Sequence, residues 1–413
     1  MVQPSASSTL HGRFPSTFLI FSSNSYFEID TCVDPLCLND LSQLGASDSS
    51  VTALNVSAPL IYGPSSGNAA LHKNIRSLYA DDVNKMEELS LQVTQGTISA
   101  NFLVLDTLVG PGDHVICQYP TYQQLFDVPR RAGAEVSLWR TRAENGWIPD
   151  VTELTSLAKE NTKLVIINTP NNPTGASIPR ATLEHIVSFA AQRNIILLSD
   201  EVFRPLFHDS SAEVPPSILS FAGQYKNIIA TSSVSKAYSL PGVRLGWVIS
   251  PNPELIHQLA MASDFTTISV SQVDQSIATY ALEAPIRAKI LKRSLAICHH
   301  NLNLLDAFIQ LHGDRLRWVK PTGAAAAFVC VVDRDGVPVD EAAYCESLVA
   351  QTGLLIVPGG KTFGTESDAD FKGYLRVGFV CSSEKFEKAL KIWDESFKQL
   401  ASKVVNSLDK LEY

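Results

Sequence analysis

The sequence predicts an α/β fold: a mostly parallel sheet covered by helices, followed by a smaller α+β unit. Two observations carry this. Short, almost wholly apolar runs alternate with helix-spaced segments between residues 50 and 280, and that alternation ends after Glu283. Strands buried on both faces read as continuous apolar runs, the pattern of a parallel sheet layered between helices. Such sheets are joined by right-handed crossovers.

Taken in order, residues 114–119 form a strand set up by the turn Gly110-Pro111-Gly112-Asp113. Residues 163–168, 194–199 and 227–231 follow as three more apolar strands, and residues 244–250 read as a fifth. Between the second and third, Leu183, Ile186, Val187 and Ala190 recur at helical spacing across residues 179–193. Beyond Glu283, residues 286–312 form a long amphipathic helix carrying Ile290, Leu291, Leu295, Leu302 and Leu305. Strands over 317–320 and 325–332, a helix near 339–352, a strand over 374–380 and a closing helix over 383–402 complete the chain. The expected division is a large domain over residues 50–285 and a small domain combining residues 1–49 with 286–413.

Composition narrows the function classes. A chain of 413 residues exceeds one ordinary domain. Charged residues make up 18%, below the usual quarter or about 25%, so much of the chain lies in an interior or interface. A net charge of −9 argues against nucleic acid, whose binding rests on Lys and Arg neutralising phosphates. The seven cysteines are odd in number and form no CxxC pair, so they read as incidental thiols of a reducing compartment. No Cys/His spacing suits a metal, and no metal is expected. The longest apolar run, residues 323–332, falls far short of the roughly 20 residues that span a bilayer. The N-terminal patch Phe18-Leu19-Ile20-Phe21 is shorter than a secretory core of about 7–15 residues. No acid precedes Glu28, which leaves a transit peptide as an alternative; the cytoplasm is the expected location.

Four motifs lie in order at the ends of the expected strands, where open α/β sheets bind ligands. In Ser233-Val234-Ser235-Lys236 a lysine stands among hydroxyl residues, with Arg244 eight residues on. A deprotonated amine forms Schiff bases with carbonyl compounds, and a guanidinium with nearby hydroxyls grips phosphate. In Asn168-Thr169-Pro170-Asn171-Asn172-Pro173-Thr174-Gly175, prolines and glycine fix a turn from which Asn172 can direct its amide into the crevice. Asp200 ends a wholly apolar strand, so its carboxylate is poorly solvated and calls for a cationic partner, such as a protonated pyridine nitrogen. Thr94-Gln95-Gly96-Thr97 opens a helical stretch whose N–H groups suit phosphate. Each motif also has a plain structural reading as a turn, a cap or a surface loop.

Together these motifs resemble the class I/II aminotransferases, the fold-type I family that uses pyridoxal 5′-phosphate (PLP). The resemblance covers residues 55–380 and includes Tyr62-Gly63-Pro64-Ser65-Ser66-Gly67, Pro120-Thr121-Tyr122 and Tyr374-Leu375-Arg376-Val377-Gly378. It implies that Lys236 holds PLP as a Schiff base and shuttles protons through a quinonoid intermediate. It implies that Asp200 pairs with the ring nitrogen, Asn172 bonds the ring oxygen and Tyr122 stacks on the ring. Gly96, Thr97, Ser233, Ser235 and Arg244 would hold the phosphate, Arg376 would clamp the substrate α-carboxylate, and Asn172 would bind substrate as well as cofactor. Tyr62 would reach the phosphate of the neighbouring subunit, implying a homodimer with shared sites.

One departure stands out: Phe203 occupies the position where the family usually has tyrosine, so the Schiff base loses a hydroxyl that lowers its pKa. The stretch before Tyr62 lacks a match to the family's substrate-binding segment. Transamination between an amino acid and a 2-oxo acid is the first expectation. A carbon–sulfur lyase or a cyclase is the alternative, because the same cofactor chemistry serves all three.

Overall fold

A computed structural model describes residues 27–45, 59–209, 213–364 and 370–408. Its centre is a seven-stranded sheet whose strands are β2 (Ser90–Thr94), β3 (His114–Tyr119), β4 (Glu135–Arg140), β5 (Thr162–Asn168), β6 (Ile196–Asp200), β7 (Ile228–Ser233) and β8 (Gly246–Ser250). Their order across the sheet is β2-β8-β7-β6-β5-β3-β4. The pairs β4–β3, β3–β5, β5–β6 and β6–β7 are parallel. Every residue of β3, β7 and β8 is buried, His114, Gln118 and the hydroxyls of Thr231, Ser232 and Ser233 included.

The strand expected over 244–250 is found, but it runs antiparallel to both β7 and β2, not parallel. The link from β7 to β8 holds only a 3₁₀ turn at Pro241–Val243. A parallel return needs a crossover, usually a helix, to carry the chain back to the other end of the sheet. Burial on both faces comes here from the covering helices, not from strand direction.

The sheet has two strands the apolar-run reading missed. β4 (Glu-Val-Ser-Leu-Trp-Arg) is an edge strand with polar outward positions, and β2 closes the opposite edge. Helix α3 (Gly96–Leu108) starts at the end of β2 and buries Ala100, Val104 and Leu105 against the sheet; α1 (Leu38–Gly45) and α2 (Ala69–Ser77) precede it. Gly246 holds α3 close, since a Cβ there would lie 2.7 Å from the Thr97 nitrogen.

Further along the chain a four-stranded antiparallel sheet is ordered β12-β13-β10-β9, from Val357–Pro358, Tyr374–Gly378, Ala326–Val331 and Leu316–Trp318. Its longest neighbours are helices Ala284–Leu311 and Ser383–Leu408. The N-terminal strand β1 (Phe27–Glu28) pairs with β11 (Leu354–Leu355) in parallel. The segment after it bonds both units: the Asp34 N–H donates to the Val380 carbonyl at 2.9 Å and the Leu36 N–H to the Ser239 carbonyl at 3.0 Å. No helix among the described residues is long and apolar enough to cross a membrane.

Candidate active site

The parallel strands β5, β6 and β7 all end on the same edge, and their register aligns Asn168 with Asp200 and Asp200 with Thr231. Beyond that edge opens a cavity of about 320 Å³. Thr97, Tyr122, Asn172, Asp200, Ser233, Ser235, Lys236, Arg244 and Arg376 all line it, so the sequence motifs converge on one place. Gly96 lies just behind, beneath Arg244, and Tyr62 lies outside the cavity, 80% exposed. His299, His300 and Lys361 are exposed, as expected of solvated residues.

Asp200 is 3% exposed, and burial pushes its carboxyl up to about 6. Asn101, the Val202 N–H and Lys236 oppose that shift by favouring the anion. Beside the charge of Lys236, this carboxylate also holds a neutral amide: the Asn101 side chain donates to Asp200 Oδ2 at 2.8 Å, and the Thr231 hydroxyl donates to Asn101 at 2.6 Å. Asn101 sits one helical turn into α3, and nothing local in the sequence distinguishes it. The next residue, Glu201, faces the other way in the alternation of the strand end and bonds Ser217 and the Ile218 N–H.

At the cavity floor, the Asn168 carbonyl oxygen of the side chain accepts from the Asn172 N–H at 2.8 Å, which sets the Asn172 turn. Asn172 Oδ1 and Thr97 Oγ1 are both buried and lack a hydrogen-bond partner among the described residues. Buried polar groups are rarely left so, and two facing one cavity mark a place for a polar ligand. Arg244 adopts a left-handed backbone (φ 52°) and donates to the Pro241 carbonyl at 2.8 Å. Its guanidinium lies over Gly96, itself at φ 77°; a Cβ there would come 2.6 Å from Arg244 Nη2. Helix N–H groups, the Thr97 and Ser233 hydroxyls and this guanidinium together suit a phosphate. The donor set therefore fits PLP: anion donors at one end, an amine above, and a buried acid able to hold a ring-nitrogen proton.

Lys236 donates to Thr31 Oγ1 and to Cys32 Sγ, each at 3.1 Å. Its ammonium also stands 5.7 Å from the Phe203 ring centre. The expectation that all seven cysteines are incidental is corrected for Cys32, which lines the cavity. Burial raises its thiol pKa, partly offset by Lys236. Asp30 beside it also opens onto the cavity; although burial acts against ionisation, Lys236, the Thr31 N–H, the Cys32 thiol and Arg376 together hold its carboxyl below the usual range. Sequence reasoning missed Asp30, Thr31, Cys32 and Asn101, because none stands in a motif. The one signal was the anomaly already noted, an unmatched stretch before Tyr62.

The class I and II aminotransferase family model matches residues 40–392. The chain belongs to this family. Its large mostly parallel sheet and smaller antiparallel sheet are those of fold-type I, and PLP is the cofactor of its relatives. This class I/II chain is 30% identical over 329 residues to capreomycidine synthase of Streptomyces vinaceus, covering 79% of this chain and 78% of that protein. It is 28% identical over 301 residues to the aspartate/prephenate aminotransferase of Thermus thermophilus, covering 72% and 73%. Among solved structures it matches a PLP-dependent aminotransferase from Streptococcus suis at TM-score 0.80 and 34% identity, over 93% of this chain and 96% of that one.

Proposed function

We propose that this class I/II chain is a PLP-dependent aminotransferase acting on amino acids with a free α-carboxylate. One observation carries the reading: a single cavity joins the Lys236 amine, the buried Asp200 carboxylate and the guanidinium groups of Arg244 and Arg376. Bound PLP supplies an electron sink for charge developing at the substrate Cα. Lys236 anchors the cofactor covalently and, once its amine is free, takes and returns the Cα proton. Asp200 keeps a proton on the ring nitrogen, and Asn172 bonds the ring oxygen. Tyr122 covers the ring face. Gly96, Thr97, Ser233, Ser235 and Arg244 hold the phosphate, and Arg376 takes the α-carboxylate in a bidentate fork. In the same reading Tyr62, exposed on its own subunit, reaches the phosphate of a second copy, giving a homodimer with shared sites. The large domain spans residues 50–285, the small domain combines 1–49 with 286–413 (residues 1–26 and 46–58 lie outside the described residues), and the enzyme works in the cytoplasm.

A second reading, a carbon–sulfur lyase or a cyclase, is favoured by the surroundings of Lys236. Phe203 offers no hydroxyl there, while Thr31 and Cys32 take the lysine hydrogen bonds. The similarity to capreomycidine synthase points the same way. Absorbance of the PLP-loaded enzyme with a panel of amino acids separates the two. Conversion of the cofactor to its amine form with release of a 2-oxo acid supports transamination. Turnover that leaves the cofactor unchanged supports the second reading, and no reaction with any amino acid contradicts both.

A further inference from the structure

Among the described residues, the charged side chains lining the cavity are Asp30, Asp200, Lys236, Arg244 and Arg376. The reading above, on which this inference rests, gives work to every one of them except Asp30. Asp30 is not a stray surface acid. Its carbonyl lies so close to Gly378 that a Cβ there would overlap it, which fixes it two residues beyond Arg376 on β13. The backbone bonds from Asp34 to Val380 and from Leu36 to Ser239 pin the rest of the segment. The carboxylate accepts from the Thr31 N–H at 2.6 Å and from the Cys32 thiol, yet it stays open to the cavity. Its charged neighbours are Lys236 and Arg376, and both pull toward the anion.

We propose that Asp30 is a specificity-determining residue that selects amino acids bearing a cationic side chain, a guanidinium or an ammonium group. A substrate carboxylate on Arg376 neutralises one of the two cations that balance Asp30. An anionic carboxylate left in the cavity then needs a new counter-charge. A cationic side chain supplies it and completes a charge-assisted hydrogen bond. A side-chain carboxylate meets repulsion from Asp30 and finds no further cation among the described lining residues. An apolar side chain leaves Asp30 with Lys236 as its one remaining cation and adds no charge of its own.

The test uses the PLP-loaded full-length enzyme and two carboxylates that have no amino group, 5-guanidinopentanoate and hexanoate. Isothermal titration reads their binding without any turnover. Absence of reaction with every amino acid would therefore sink the activity assigned above, while the ratio of the two affinities judges Asp30 alone. The expected ratio favours the guanidino compound by on the order of 10–100-fold. It collapses toward one in Asp30→Asn and is largely restored in Asp30→Glu. A native enzyme without that preference, or an Asp30→Asn variant that weakens both compounds equally, overturns the proposal; the latter result assigns Asp30 to positioning Lys236.

Discussion

At the Arg244 end of the cavity, every lining group comes from one sheet and the helix that leaves it. Thr97 starts α3, Ser233 ends β7, Ser235 and Lys236 follow directly, and Arg244 precedes β8. At the Arg376 end, the groups come from β13 of the antiparallel sheet and from the N-terminal segment that bridges to Ser239. The first end is built by adjacent strands in register, so it is fixed wherever the sheet folds. The second is assembled from distant segments, and it meets the first where Lys236 donates to Thr31 and Cys32 and where the Leu36 N–H donates to the Ser239 carbonyl. In the proposed reading, cofactor chemistry falls on the sheet edge and substrate choice on the join.

The largest effect should come from breaking the shared element between the two ends. Lys236→Ala removes both the covalent anchor and the proton carrier, and turnover of any amino acid should fall by at least about 10,000-fold. Steady-state kinetics checks it. Next, Asp200→Asn should weaken PLP binding by about 2–5 kcal/mol, because a buried acid would no longer face the ring-nitrogen proton. Titration of the apoenzyme with PLP measures this.

The same residue makes the Arg244 end costly when no cofactor is bound. Burial pushes the Asp200 carboxyl in the folded chain up to about 6, above its ordinary value of 3.8. Between those values the native state binds more protons than the unfolded state, so stability falls as pH rises from 4 through about 6. The full penalty, on the order of 3 kcal/mol, is present above that window. Apoenzyme carrying Asp200→Asn should therefore resist urea better than the parent at pH 8, with the gap closing toward pH 4.5. Glu201 titrates in the same window, near 6, but is common to both proteins and cancels in the difference.

At the other end, Arg376→Lys keeps the charge and loses the fork. It should raise KM for amino acids by about tenfold to a hundredfold with a smaller change in kcat. The smallest shift is expected from Phe203→Tyr, which restores a hydroxyl near Lys236 and should lower the pKa of its Schiff base with PLP by about one unit. A spectrophotometric titration that finds no downward shift removes Phe203 from the account.

This division also explains what could be seen in the sequence. Lys236, Asp200, Asn172 and Arg244 were legible because each sits in a run of residues that makes sense locally: an apolar strand, then the polar group at its end. The mostly parallel core was legible for the same reason, since β5, β6 and β7 each carry an aliphatic run ahead of their polar ends. The edge strand β4 was not, because its place at the sheet edge lets Glu135, Ser137 and Arg140 interrupt the pattern. The direction of β8 was hidden because burial alone does not encode it. Asn101 and Asp30 were invisible for a deeper reason: their roles depend on partners brought close only by the fold, Asp200 for one and the Arg376 strand for the other.

The central claim is that the cofactor and the amino acid meet at Lys236. Loading the protein with PLP, reducing it with borohydride and mapping the peptides by mass spectrometry tests this most directly. The account predicts a phosphopyridoxyl group on the peptide containing Lys236 and its loss in Lys236→Ala. The same group on another lysine, or on none, would contradict it.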